Sequence, residues 1–142
     1  MVALSAIIKL KMTKGLACGS SRLKPFGKWA ADEGLTDDAL RTAVQELEQG
    51  LNDGSLGGQV YKKRVGLAGR GKRSGVRTLL ALREGDKAFF LYGFAKNQRD
   101  NVTDEELKAL KLMAKELLGY SAAKLTQALK AKELVEITKA KP

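Results

Sequence analysis

Residues Gly69–Leu82 read GRGKRSGVRTLLAL, a glycine-rich basic segment that runs straight into an apolar one. Glycines at 69, 71 and 75 break any helical pattern, so 69–74 reads as a loop. Gly75–Arg83, rich in Val and Leu, reads as a strand. Outward from it, Gln59–Ala68 and Lys87–Lys96 have the same β-favouring content. Glu84-Gly85-Asp86 makes a tight hairpin to the third strand, and the basic loop joins the first two. Connections this short imply an antiparallel meander.

Helical signals flank the meander. Pro25 can open a short helix through Phe26, Trp29 and Ala30, with Gly34 as its C-cap. Thr36 then caps a second helix, with Asp37 and Asp38 in the first turn and Leu40, Ala43, Val44, Leu47 and Leu51 at helical spacing. Asn52–Gly58 is a turn-rich break. After the strands, Thr103 and Glu106 have the spacing of a capping box. Leu107, Leu110, Met113, Leu117 and Leu118 follow as an apolar stripe. Ser121 starts a further helix carrying Leu125 and Leu129, and Leu134–Ile137 is a final short strand. The expected fold is α+β: an antiparallel sheet of three main strands, N-terminal helices packed on one face, and C-terminal helices following.

A chain of 142 residues with 44% hydrophobic and 30% charged content suits one domain with a real core. No apolar run approaches the roughly 20 residues of a membrane span. The net charge of +10 is unevenly placed. Val60–Arg83 holds eight basic residues and no acidic one, Met1–Lys28 holds six more, and the remainder is net acidic. Two basic blocks on an acidic chain describe a docking surface for a polyanion.

One cysteine, Cys18, excludes an intramolecular disulfide and makes a reducing compartment, the cytoplasm, the expected location. The complete absence of histidine removes the commonest general base and most zinc sites. Carboxylate pairs at Asp32/Glu33, Asp37/Asp38 and Asp104/Glu105/Glu106 sit at helix ends, where dipole complementation accounts for them. Gly69-x-Gly71 and Gly57-Gly58 do not open a helix after a strand and are no nucleotide fingerprint. No metal or other cofactor is expected. Residues 1–21 read as an extension, disordered or an added strand, because Lys9, Lys11 and Lys14 interrupt any signal-peptide core. A single domain is expected over 22–138 and a frayed tail over 139–142.

On a strand, residues two apart share a face. If the first two strands pair, Lys62, Arg64 and Arg77 converge on one open sheet face, with Lys96 at the end of the third strand joining them. Cations at that density repel unless an anion relieves them. A solvated sheet face would explain the charge alone, although these residues lie among strand-forming neighbours. Loop glycines allow close approach to a phosphate backbone. Tyr92 and Phe94, sharing the parity of Lys96, are the rings expected to stack on unpaired bases.

The ordered set Gly57-Gly58, Lys62-Lys63-Arg64, Gly69 to Arg77, and Phe89 to Asn97 with a long helix after it resembles the RelE/ParE superfamily of type II toxins, in particular its HigB-like branch. The likeness spans about Leu23 to Ile137. It implies a ribosome-dependent endoribonuclease that cuts mRNA in the decoding site and is held inactive by a cognate antitoxin. Lys62, Arg64 and Arg77 match the catalytic or phosphate-binding strand positions of such toxins. Lys96 and Asn97 match the strand-end pair. Arg70, Lys72 and Arg73 match the basic loop, with a role in docking to ribosomal RNA. The sequence departs from the pattern in having no tyrosine between Tyr92 and Tyr120, and in placing Lys63 at a usually apolar strand position.

The resemblance and the residues together describe a metal-free cleavage. Arg64 and Arg77 would neutralise the phosphorane. Lys62 or Lys96, with a pKa lowered by neighbouring cations, would take the 2′-OH proton. Two alternatives remain open at this point: a ParE-like gyrase poison, and a non-catalytic RNA-binding module.

Overall fold

A computed structural model describes residues 19–67, 71–83, 85–95, 99 and 101–137, with residue 19 and residues 71–74 described as backbone only. Its strands are β1 (Gly19–Leu23), β2 (Ser55–Gly57), β3 (Val60–Leu67), β4 (Gly71–Arg83), β5 (Lys87–Ala95) and β6 (Leu134–Glu136). Its helices are α1 (Lys24–Glu33), α2 (Asp37–Glu48), α3 (Asp104–Leu118) and α4 (Ala122–Lys130).

The helix boundaries follow local chemistry. Pro25 stands in the first turn of α1, where its missing N–H costs nothing, and Gly34 closes the helix at φ 83°. The Thr36 hydroxyl accepts from the Ala39 N–H, with Asp37 and Asp38 in the first turn of α2. Thr103 and Glu106 form the reciprocal capping box of α3. Ser121 caps α4.

The six strands make one sheet in the order β2-β3-β4-β5-β1-β6. The meander β3–β4–β5 is antiparallel, but β1 runs parallel to β5 and β6 returns antiparallel to β1. Three short or peripheral strands therefore widen the expected three-stranded sheet. The expected 69–74 loop is also shorter than read: β4 begins at Gly71, which pairs with Leu67. Lys72 and Arg73 are thus strand residues. A bulge lies between Val65 and Leu67, where the chain passes close to Gly75. A methyl group on Gly75 would lie 2.0 Å from the Val65 carbonyl oxygen.

Helices cover both sheet faces, the N-terminal pair on one as expected and the C-terminal pair on the other. On one face, Phe26, Ala30, Leu40, Ala43, Val44 and Leu47 of α1 and α2 pack on Val65, Val76, Leu80, Leu82 and Phe90. On the other, Leu110, Ala114, Leu117, Leu118 and Ala128 of α3 and α4 pack on Val60, Leu79, Ala81, Phe89 and Leu91. Burial on both sides is why Leu79-Leu80-Ala81-Leu82 and Ala88-Phe89-Phe90-Leu91 are continuous apolar runs and do not alternate. Met113, expected in the apolar stripe of α3, is 36% exposed, and Ala114 is buried instead.

Lys63 has a structural explanation. It faces α2, is 4% exposed, and its ammonium lies 2.7 Å from Glu46 while donating to the Leu51 carbonyl at 2.9 Å. A buried charge needs such pairing and hydrogen bonding. Its stem ties β3 to the end of α2.

Candidate nucleic-acid site on the sheet face beneath helix α3

Register decides what shares the sheet face with α3. Arg64 pairs directly with Arg77, and Lys62 with Leu79. Arg77 pairs in turn with Phe94, and Leu79 with Tyr92. Opposed residues point to the same side, so Lys62, Arg64, Arg77, Tyr92 and Phe94 share one face. Strand parity alone would not put Tyr92 and Phe94 on the face of Phe89. The register slips between Leu79↔Tyr92 and Leu80↔Phe90, leaving Leu91 as an extra residue. That bulge inverts the alternation and re-aims the C-terminal half of β5.

Two guanidinium side chains opposed across an antiparallel ladder repel, by about 0.2–1 kcal/mol. Their surroundings differ. Arg64 is exposed and paired with Asp53: its backbone N–H donates to Asp53 Oδ2 at 2.7 Å and its Nε lies 3.2 Å from Oδ1. Burial pushes the Asp53 carboxyl up, but the hydrogen bonds from Arg64 and the charges of Arg64 and Lys63 outweigh it, and the net shift is downward. Arg77 lies deeper. Its Nη1 is buried and, among the described residues, has no hydrogen-bond partner. An unpaired buried donor costs about 1–3 kcal/mol, more when charged. The face thus holds a cation whose donor is unsatisfied, beside a second cation held only by an exposed pair.

Arg99 borders this face beside the first turn of α3. Its guanidinium is gripped by both oxygens of Glu106, at 2.5 and 3.2 Å, and donates to the Tyr92 hydroxyl at 3.1 Å and through Nε to the Asn101 carbonyl at 2.9 Å. It lies 6.0 and 5.9 Å from the ring centroids of Tyr92 and Phe94. Glu106 Oε1 also accepts from the Thr103 N–H at 2.8 Å, so the capping box of α3 doubles as the holder of Arg99. The hydrogen bonds from Arg99 and Thr103 hold the Glu106 carboxyl down at about 2, below its ordinary 4.5, and the Glu106 carboxylate raises the Arg99 pKa.

This clamp should be sensitive to acid. A depressed carboxylate contributes stability above its unfolded pKa and loses it as pH falls through the folded one. Wild type should therefore exceed Glu106→Gln in stability by a constant margin above about pH 4.5 that closes towards pH 2. Denaturation curves of the two proteins at several pH values measure the margin. An unchanged margin at pH 2.5 would contradict the assignment.

Of the residues singled out in the sequence, Lys62, Arg64, Arg77, Tyr92 and Phe94 come together on this face. Phe94 is only 2% exposed, so its ring forms the wall and is not presented to a base. Tyr92 is half-buried, with its hydroxyl turned to Arg99. Arg70, Lys96 and Asn97 lie outside the described residues, and Lys72 and Arg73 are described only as β4 backbone. Arg99 was not singled out. Its signal was faint: a basic residue seven positions before a capping-box glutamate. Among the described residues, no group of three His, Cys, Asp or Glu side chains is placed to hold a metal. Among the same residues, no helix is long and apolar enough to cross a membrane.

No curated protein matches the sequence. A family model described as the RelE toxin of the RelE/RelB toxin–antitoxin system matches residues 22–137, from the end of β1 through β6. That match takes in the end of β1, the five other strands and the four helices among the described residues, and the chain belongs to the RelE toxin family.

Proposed function

We propose that this toxin is a ribosome-dependent mRNA endoribonuclease of the HigB-like branch. It acts in the cytoplasm on a transcript in the decoding site and is silenced by a cognate antitoxin. The observation that carries the reading is the buried, unpartnered Nη1 of Arg77 directly across the ladder from Arg64. Two cations held together against their repulsion, one with an unsatisfied donor, suit a bound phosphate.

In this reading the phosphate of the scissile linkage takes the missing hydrogen bond from Arg77. Arg64 turns from Asp53 to a second phosphoryl oxygen; an exposed ion pair of that kind is worth about 0–1 kcal/mol, so the exchange is cheap. The ribose 2′-oxygen attacks phosphorus and the bond from phosphorus to the 5′-oxygen breaks. The products are a 2′,3′-cyclic phosphate and a free 5′-hydroxyl. Lys62 or Lys96, as the neutral amine, accepts the 2′-OH proton and becomes an ammonium, and the leaving 5′-oxygen is protonated by water. The guanidinium pair stabilises the extra charge on the phosphorane. Arg70, Lys72, Arg73 and Asn97 contact RNA around the cut. Tyr92, fixed by Arg99, borders the site. The ribosome supplies alignment by holding the transcript in place.

Purified protein is added to ribosomes programmed with a defined mRNA, and new ends are mapped by primer extension. Cuts in register with codons are expected. Intact mRNA together with DNA-damage markers in cells expressing the chain would replace the reading with a ParE-like gyrase poison. Ribosome binding without cuts would leave an RNA-binding module.

A further inference from the structure

Helix α3 carries a basic face that the cleavage reading does not use. Lys108, Lys111 and Lys115 are spaced three and four residues apart and so line one side of the helix. Leu110, Ala114, Leu117 and Leu118 occupy its buried side, and Glu106 is engaged with Arg99. Lys108 and Lys115 are exposed and Lys111 is half-buried. Among the described residues none of the three lysines forms an ion pair, and Asp104, four residues before Lys108, forms none with it.

The local backbone makes room for this face. Gly57, Gly58 and Gln59 have φ values of 85°, 61° and 65°, so the β2–β3 turn is left-handed at three successive residues. The Lys111 stem lies across it. A methyl group on Gly58 would sit 3.1 Å from Lys111 Cγ, and one on Gly57 would sit 3.3 Å from Nζ. The two glycines thus let a lysine stem cross the turn and carry its ammonium to the sheet edge.

The stripe is continuous with the cation face. The contact between Glu106 and Arg99 fixes the first turn of α3 beside Tyr92 and Phe94, opposite Arg77. Lys111 is fixed over the turn that leads into Val60, and Lys62 follows two residues later on the same side. Lys108 therefore stands at the Arg77 end and Lys115 at the far end, about 10 Å away along the axis.

We propose that Lys108, Lys111 and Lys115 form a track that grips the phosphate backbone of structured ribosomal RNA, outside the linkage that is cut. The inference rests on the nuclease reading for its partner. Charge complementarity favours RNA over protein: three unpaired point charges at regular spacing suit phosphates read without regard to sequence. A protein interface would be expected to centre on a buried apolar or aromatic anchor. Among the described residues, the large apolar side chain exposed beside the stripe is Leu112, 66% exposed.

Ribosome binding is measured as a function of salt by sedimentation for wild type, the double variant Lys108→Gln/Lys115→Gln, and the triple variant adding Lys111→Gln. Each released counterion contributes about 0.7–0.9 to the slope of log affinity against log salt. The double variant should be shallower by about 1.5 and the triple by about 2–3. The double variant leaves the Lys111 stem on its turn and keeps the test valid if the triple folds poorly. Charge-preserving Lys108→Arg/Lys115→Arg should restore the slope. Unchanged slopes in a folded double variant would overturn the track. So would weakened antitoxin binding shared by the double variant and Leu112→Ala with ribosome binding intact, which would make this a protein-docking face. Ribosome binding whose slope depends on these lysines, in a wild-type protein that cuts no mRNA, would uphold the track and overturn the nuclease reading.

Discussion

Arg77→Ala is expected to abolish growth arrest and lower mRNA cleavage on the ribosome by about 10²–10³-fold, the usual loss when one donor to a developing anion is removed. It should do so without harming the fold. Arg77 Nη1 has no partner to lose among the described residues, and its alignment with Arg64 is repulsive. Removing it also removes an unsatisfied buried donor, so the melting temperature should hold or rise. Stability and activity are thus expected to move in opposite directions, the pattern of a group retained for a ligand. Arg77→Lys should not rescue cleavage, because a single ammonium cannot reproduce the guanidinium fork. Growth curves on induction, in-vitro cleavage rates and thermal melts are the measurements. A folded, fully toxic Arg77→Ala protein would contradict the scheme.

The second large effect is on stability. Gly93 lies opposite Thr78 on the sheet face towards α1, and the Trp29 ring covers it. A methyl group there would lie 2.1 Å from Trp29 Cζ3 and 2.4 Å from Cη2. Trp29 in turn packs on Phe26 at 5.5 Å, and Phe26 stacks on Phe90 at 5.1 Å, so the ring has a filled side behind it. Gly93→Ala should therefore cost about 1–3 kcal/mol by overpacking. Because Trp29 is the single tryptophan, its fluorescence should shift in the same variant. In a double-mutant cycle, Trp29→Leu should recover part of the loss. Additive effects of the two changes would contradict the contact.

The local elements were legible because their signals are local. Pro25, Gly34, Thr36, Thr103, Glu106 and Ser121 mark helix ends by chemistry within four residues, and each does so in the structure. The three central strands carry enough Val, Leu and Phe to be read directly. What was not legible depends on partners far along the chain. β2, inside the expected turn-rich break, is three residues long, too short for a periodicity, and exists through pairing with β3. Coverage of both faces was written in the unbroken apolar runs of β4 and β5, which a three-strand meander with helices on one side does not require.

The site divides the same way. Period two suffices to put Lys62 and Arg64 on one face of β3, and the short connection to β4 brings Arg77 opposite. The bulge at Leu91 has no sequence mark, yet it turns Tyr92 and Phe94 onto the face of Arg77. The buried position of Lys63 depends on Glu46 and Leu51, twelve to seventeen residues away in sequence. Arg99 acquires its place from a glutamate already accounted for as a helix cap. A residue with one evident role conceals a second one.

The central claim is that cations from adjoining strands break a ribose–phosphate linkage through the neighbouring 2′-oxygen. Its most direct test is cleavage of a ribosome-bound mRNA in which the nucleotide 5′ to the mapped cut carries a single 2′-deoxy sugar. The account predicts that this linkage survives while the all-ribose control is cut and leaves a 2′,3′-cyclic phosphate end. Cutting at the deoxy position at the control rate would contradict it.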